Sequence, residues 1–175
     1  MNKNLKVLSE DFFLNSLSSS PTSAIMRGYK EYFDQVEELT VETFEKEIKL
    51  VDNFISRLGN IDISSLSNRE KVTHGMLEFA LSSNRDSLLD RSWEFGAGVS
   101  GFTGYLIDYN QQMFVPDLEA ADMLLKRLEL YKRLFTQISA VQKKGLNSNR
   151  VATERNLLRT IDQLQNYLAT AVEKD

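Results

Sequence analysis

Cysteine is absent from the 175 residues, which excludes a disulfide framework, thiolate metal ligation and cysteine nucleophiles together and fits a reducing compartment. Histidine occurs once, at His74. A zinc site of the H-E-x-x-H kind needs two histidines one helical turn apart, and a di-iron bundle needs two Glu-x-x-His pairs, so neither can be assembled. Proline occurs twice, at Pro21 and Pro116, each where a helix can begin. Positive charge is not in excess either: 21 Lys and Arg face 25 Asp and Glu, and the net charge of −4 gives no general affinity for nucleic acid. No apolar run long enough for a signal peptide or a membrane span follows the opening Met1-Asn2-Lys3-Asn4-Leu5-Lys6, so the chain as written reads as soluble and cytoplasmic. A chain trimmed of an export signal would read the same. No segment combines strict alternation, β-branched residues and flanking turns, so no strand is expected.

What is present is helical periodicity, with 42% hydrophobic residues to build a core. Residues 4–18 place Leu5, Leu8, Phe12 and Leu17 near one face. Ser20-Pro21 reads as an N-cap with proline at the first helical position, and Gly28 can close that short helix. Thr40 is a plausible cap for a helix aligning Phe44, Ile48, Val51, Ile55 and Leu58, which Gly59 would end in the left-handed conformation. Ser67-Asn68-Arg69-Glu70 fits a capping box opening a helix to about residue 91, with Val72, Met76, Phe79 and Ala80 as its buried stripe. Pro116-Asp117 can start the longest helix, where Ala121, Leu124, Leu128, Tyr131, Phe135 and Ile138 keep a bundle-like period until Gly145 stops it. A last helix, residues 151–172, aligns Leu157, Ile161, Leu164 and Leu168. The fold expected is all-α: a single domain over residues 1–175, an elongated bundle of five to six mostly antiparallel helices with one glycine-rich connection. Residues 1–116 hold 11 basic and 17 acidic side chains and residues 117–175 hold 10 and 8, a spread that reads as helix-surface charge.

The helical pattern fails from Trp93 to Tyr105, which holds the only tryptophan and glycines at 96, 98, 101 and 104. Gly96-Ala97-Gly98-Val99-Ser100-Gly101 matches G-x-G-x-x-G, but a dinucleotide site needs a strand before it and a helix directly after it, and here a helix precedes it. The G-x-S-x-G elbow fails because Phe102 stands where the last glycine should be. His74 and Glu78, at i and i+4, could share a helix face, and a surface hydrogen bond between them is the plain reading. Acidic residues are plentiful, yet spacing selects no catalytic pair. Phe12-Phe13, Tyr29, Tyr32, Phe33 and Phe114 stand at helical spacing and read as core rather than as a ligand pocket.

Two stretches carry a resemblance. Pro21-Thr22-Ser23-Ala24-Ile25-Met26-Arg27-Gly28-Tyr29-Lys30-Glu31-Tyr32 is similar to the N-terminal Pro-x-x-Ala-x-x-x-Gly-x-x-x-Tyr pattern of a bacterial family, domain of unknown function 885, whose full-length members look like zinc metallopeptidases. Ser100-Gly101-Phe102 is similar to the centre of that family's Ser-Gly-Phe or Ser-Gly-Pro turn after its second long helix. The acidic helix from Thr40 to Gly59, Ile61-Asp62-Ile63-Ser64, the helix from Ser67 to Arg91, Asp117 to Leu128 and Gly145 follow in the family's order.

The resemblance implies that this chain is the N-terminal part of a longer protein whose H-E-x-x-H helix, downstream glutamate and zinc lie beyond residue 175. No catalytic residue and no metal ligand carries over, so none is assigned here. On that footing the chain is expected to be a non-catalytic helical domain that walls or covers a substrate groove. Its partner would be the C-terminal catalytic half, with a peptide as the substrate class. Trp93, Phe95, Gly98, Ser100, Gly101 and Phe102 are then the candidate groove residues. Two alternatives remain: a self-contained helical protein-interaction module, which needs only the amphipathic stripes, and a small-ligand or nucleotide binder using the glycine-rich segment.

Overall fold

Capped amphipathic runs become helices, and no strand occurs among the described residues. The structure, a computed structural model, describes residues 2–95, 109 and 113–170. Six α-helices are described: α1 (Lys3–Ser19), α2 (Pro21–Met26), α3 (Val41–Gly59), α4 (Asn68–Leu89), α5 (Leu118–Asn147) and α6 (Glu154–Ala169). Tight 3-10 turns lie at Lys30–Tyr32, Ile63–Ser65 and Ser92–Phe95. The fold is all-α, and the chain divides into two compact units, Met1–Ser19 with Val41–Ser92 and Ser20–Thr40 with Trp93–Asp175. Most of the glycine-rich connection, residues 96–105, lies outside the described residues.

In the first unit α3 runs antiparallel to both α1 and α4. Against α1, Arg57 Nη2 meets Asp11 Oδ2 at 2.6 Å and Glu47 Oε1 accepts from Asn15 Nδ2 at 3.2 Å. Against α4, Arg85 Nε meets Asp52 Oδ1 at 2.6 Å and His74 Nε2 donates to the Leu58 carbonyl at 3.4 Å. Leu5, Leu8 and Leu17 are buried from α1, and Val51, Phe54 and Leu58 from α3. Phe54, outside the expected α3 stripe, takes the edge of Phe12 at 5.9 Å, while Phe44, Ile48 and Ile55 are half-buried. Gly59 is the last residue of α3 and has no left-handed φ, a correction to the expected glycine stop.

The α4 stripe is a larger correction. Val72, Met76 and Phe79 are exposed, and His74, Leu77, Leu81 and Leu88 are buried instead. At 100° per residue the two sets lie on opposite sides of the helix, so α4 is apolar on both. His74 is accordingly a core residue bonded to a carbonyl and not a surface partner of Glu78.

The start of α4 matches its sequence. Ser67 Oγ accepts from the Glu70 N–H at 3.4 Å, and Glu70 Oε2 accepts from the Ser67 N–H at 2.8 Å, a complete capping box. Glu70 also accepts from the Asn2 N–H. The Ser67 hydroxyl, then the N–H groups of Asn2 and Ser67, pull the Glu70 carboxyl from its ordinary 4.5 down to about 2. A depressed folded-state value means stability present above the unfolded value and lost as pH falls through the folded one. Between pH 4.5 and about 2 the first unit should therefore weaken through Glu70, and Glu70→Gln should flatten that limb. Denaturant unfolding followed across this range checks it, and an unchanged slope in the variant would remove Glu70 as the cause.

The second unit is organised along α5. Pro21 opens α2, but the Ser20 hydroxyl makes no cap bond. Glu37 does that work from a distance, accepting from the Thr22 N–H at 3.0 Å and from Thr22 Oγ1 at 2.9 Å. Gly28, at φ +89°, ends α2 through bonds from the Gly28 N–H to the Ile25 carbonyl at 2.8 Å and from the Tyr29 N–H to the Ala24 carbonyl at 3.1 Å. Residues 30–39 then run parallel to α5. Lys30 meets Asp117 and Glu119, Glu37 meets Arg127, Glu38 meets Arg133, and the Leu39 N–H donates to Gln137.

Asp117 caps α5 by accepting from the Ala120 N–H at 2.8 Å. The buried seam of α5 is Ala120, Arg127, Leu134 and Val141, with Ile138 and Gly145. The expected stripe was one residue off for half its members, since Leu128 and Phe135 are exposed and Ile138 is buried. Gly145 does not stop the helix, which continues to Asn147. Asn149, at φ +57°, is the true terminator: its N–H reaches the Leu146 carbonyl at 3.1 Å and the Arg150 N–H reaches the Gly145 carbonyl at 2.8 Å. In α6 only Thr160 is buried, so the expected core stripe is corrected too, with Leu157, Ile161 and Leu168 exposed and Leu164 half-buried.

Candidate functional site

Of the six groove candidates the structure places two. Trp93 and Phe95 lie in the turn Ser92–Phe95, Trp93 buried with Lys144 Nζ 6.0 Å from its ring centroid, and Phe95 exposed. Between them Glu94 is buried, accepting from Ser148 Oγ at 3.2 Å and paired with Arg150 Nε at 3.8 Å. This turn is therefore anchored to the end of α5. Gly98, Ser100, Gly101 and Phe102 lie outside the described residues.

A cavity opens elsewhere in the second unit. Its volume is about 330 Å³, and Ile25, Met26, Gly28, Lys30, Phe33, Met113, Phe114 and Pro116 line it. The pattern at residues 21–32 builds this wall for physical reasons. Pro21 and Ala24 are fully buried, Gly28 supplies the left-handed turn, and Tyr32 packs on the cluster of Ile25, Phe33 and Ala120. Phe114, expected in the core, is 80% exposed and lines the same cavity. Lys30 is the one charged residue among the described lining residues, held by Glu119 Oε2 at 2.7 Å and Asp117 Oδ2 at 3.0 Å. These hydrogen bonds raise the Lys30 pKa, Glu119 contributing most, and the Ala120 N–H followed by Lys30 lowers that of Asp117. Sequence reading found the motif but not the cavity, because Met113, Phe114 and Pro116 are remote from it in the chain.

A second polar centre lies under residues 33–40. Arg127 is completely buried in the α5 seam. Its Nη2 donates to Thr22 Oγ1 and stands 3.9 Å from Glu37 Oε2, its Nε donates to the Tyr131 hydroxyl at 3.4 Å, and Nη1 has no hydrogen-bond partner among the described residues. The bonds of this fully buried guanidinium tie the start of α2 to α5.

Zinc, which the resemblance implies for longer proteins, does not fit these residues. The described residues contain no group of three or more His, Cys, Asp or Glu placed to hold a metal, and His74 is committed to a backbone carbonyl. Among the described residues no helix is long and apolar enough to cross a membrane.

Residues 21–175 match the model of a family described as Bacterial protein of unknown function (DUF885). No curated protein and no solved structure gives a match.

Proposed function

The chain belongs to this bacterial family of unknown function, and on that premise we propose that it is the non-catalytic, N-terminal helical part of a zinc-metallopeptidase-like protein, walling or covering the groove in which a peptide binds. The observation that carries the reading is α4. Val72, Met76 and Phe79 are 63%, 69% and 76% exposed on the side opposite its core face. A helix apolar on both sides is characteristic of an enclosed position, and α6 adds Leu157, Ile161 and Leu168. Apolar faces of this kind mark a surface made to be covered. The covering partner in this reading is the C-terminal catalytic half, which supplies the H-E-x-x-H helix and the zinc. This chain contributes shape and apolar contact, with no bond-breaking step assigned to its residues.

The test joins the chain to the coding sequence beyond Asp175, or to the neighbouring frame that carries H-E-x-x-H. The assembled protein is expected to bind zinc and to shield Met76 from peroxide oxidation, while the chain alone binds none and cleaves no peptide. Peptidase activity with stoichiometric zinc in this chain alone would falsify the reading, as would a coding sequence with no such segment.

A further inference from the structure

The cavity beside α2 has a lining that selects for one kind of guest. Its volume of about 330 Å³ lies at the small end of the range that holds organic ligands. Ile25, Met26, Phe33, Met113, Phe114 and Pro116 make apolar walls. Lys30, the one charged residue among the described lining residues, already has its ammonium between two carboxylates at 2.7 and 3.0 Å. An anionic guest finds no free cation among the described lining residues, and the one carboxylate charge left over from the Lys30 pairs is met by water, Asp117 and Glu119 being 49% and 76% exposed. A charged group would lose its water without gaining a partner, whereas an uncharged apolar group gains by burial.

We propose that this cavity binds an uncharged aromatic or branched-aliphatic side chain presented by a peptide. That a peptide carries the side chain rests on the groove reading above; its apolar, uncharged character rests on the lining alone.

The test is a titration of the isotope-labelled chain, followed by amide NMR at about pH 6, where a free α-amine is cationic. The probes are N-acetyl-phenylalaninamide, which is neutral, N-acetyl-phenylalanine, which is anionic, phenylalaninamide, which is cationic, and N-acetyl-glycinamide, which lacks the side chain. The neutral probe is expected to saturate with a dissociation constant on the order of a millimolar, the two charged ones about tenfold weaker. Shifts should centre on residues 25–33 and 113–116. Phe114→Ala, at a residue exposed enough to leave the fold intact, should weaken the neutral probe about fivefold. Lys30→Gln leaves Asp117 and Glu119 uncompensated and should turn the preference toward the cationic probe over the anionic one. Equal binding of the glycine probe, shifts centred elsewhere, or no saturation by about 20 mM overturns the proposal. Such a failure leaves the groove reading standing, because that reading is decided by zinc binding and Met76 shielding in the joined protein.

Discussion

Arg127→Ala is expected to destabilise the second unit by about 3–5 kcal/mol, the usual cost of leaving a buried charge without its partner. The charge left behind is Glu37, which is buried and holds Thr22 N–H and Oγ1 at the start of α2. Loss of the guanidinium also empties the largest fully buried side-chain volume among the described residues. The double variant Arg127→Met with Glu37→Gln should recover most of the loss, because glutamine can still accept from the Thr22 N–H and no charge remains inside. Urea unfolding of the wild type, Arg127→Met, Glu37→Gln and the double variant gives the coupling directly. A cost below about 1 kcal/mol for Arg127→Ala would mean that water reaches the site and that the ion pair is a surface one in energetic terms.

Gly145→Ala should destabilise by about 2 kcal/mol, against the helix-propensity gain of up to about 1 kcal/mol that alanine ordinarily brings. A Cβ there would lie 2.6 Å from the Arg150 carbonyl oxygen and 2.8 Å from that of Glu94. Both are backbone atoms, so neither can swing aside as a side-chain tip would. Gly75→Ala is the matched control. It sits inside α4 with nothing within 4 Å of the added carbon, and should stabilise by about 0.5–1 kcal/mol. The same substitution in two helices is thus expected to give opposite signs in thermal or urea unfolding. Two shifts of the same sign would show that the close crossing at Gly145 relaxes without cost.

These two glycines also show where sequence reading reaches and where it stops. The capping box at Ser67 and Glu70, Pro116-Asp117 as the start of the longest helix and Gly28 as a stop are legible because each involves bonds within a few residues. Gly145 reads as a stop because nothing local records that the Glu94 backbone crosses it. Arg127 reads as surface charge for the same reason, since Glu37 and Thr22, which make its burial tolerable, lie far away in the chain. In α5 this one inward arginine moved half of the expected seam by a residue. In α4 the difficulty is different: two apolar stripes compete, and the one with the bulkier side chains, Val72, Met76 and Phe79, is the one left outside. Periodicity finds an apolar face but does not say which element covers it. Of the site, the 21–32 pattern was visible, and the cavity it helps to wall was not.

The excursion of residues 20–40 out of the first unit and into the second sets an order of events during synthesis. Thr22 bonds to Arg127, 105 positions later. At typical translation rates of about 5–20 residues per second, α2 and the segment after it wait roughly 5–20 s for the helix that holds them. Meanwhile α1, α3 and α4 have all emerged and can close on one another. A nascent chain whose α1, α3 and α4 have closed would carry the 21–32 pattern as a loop tethered at both ends, its contacts to Arg127 and the rest of α5 still to be made.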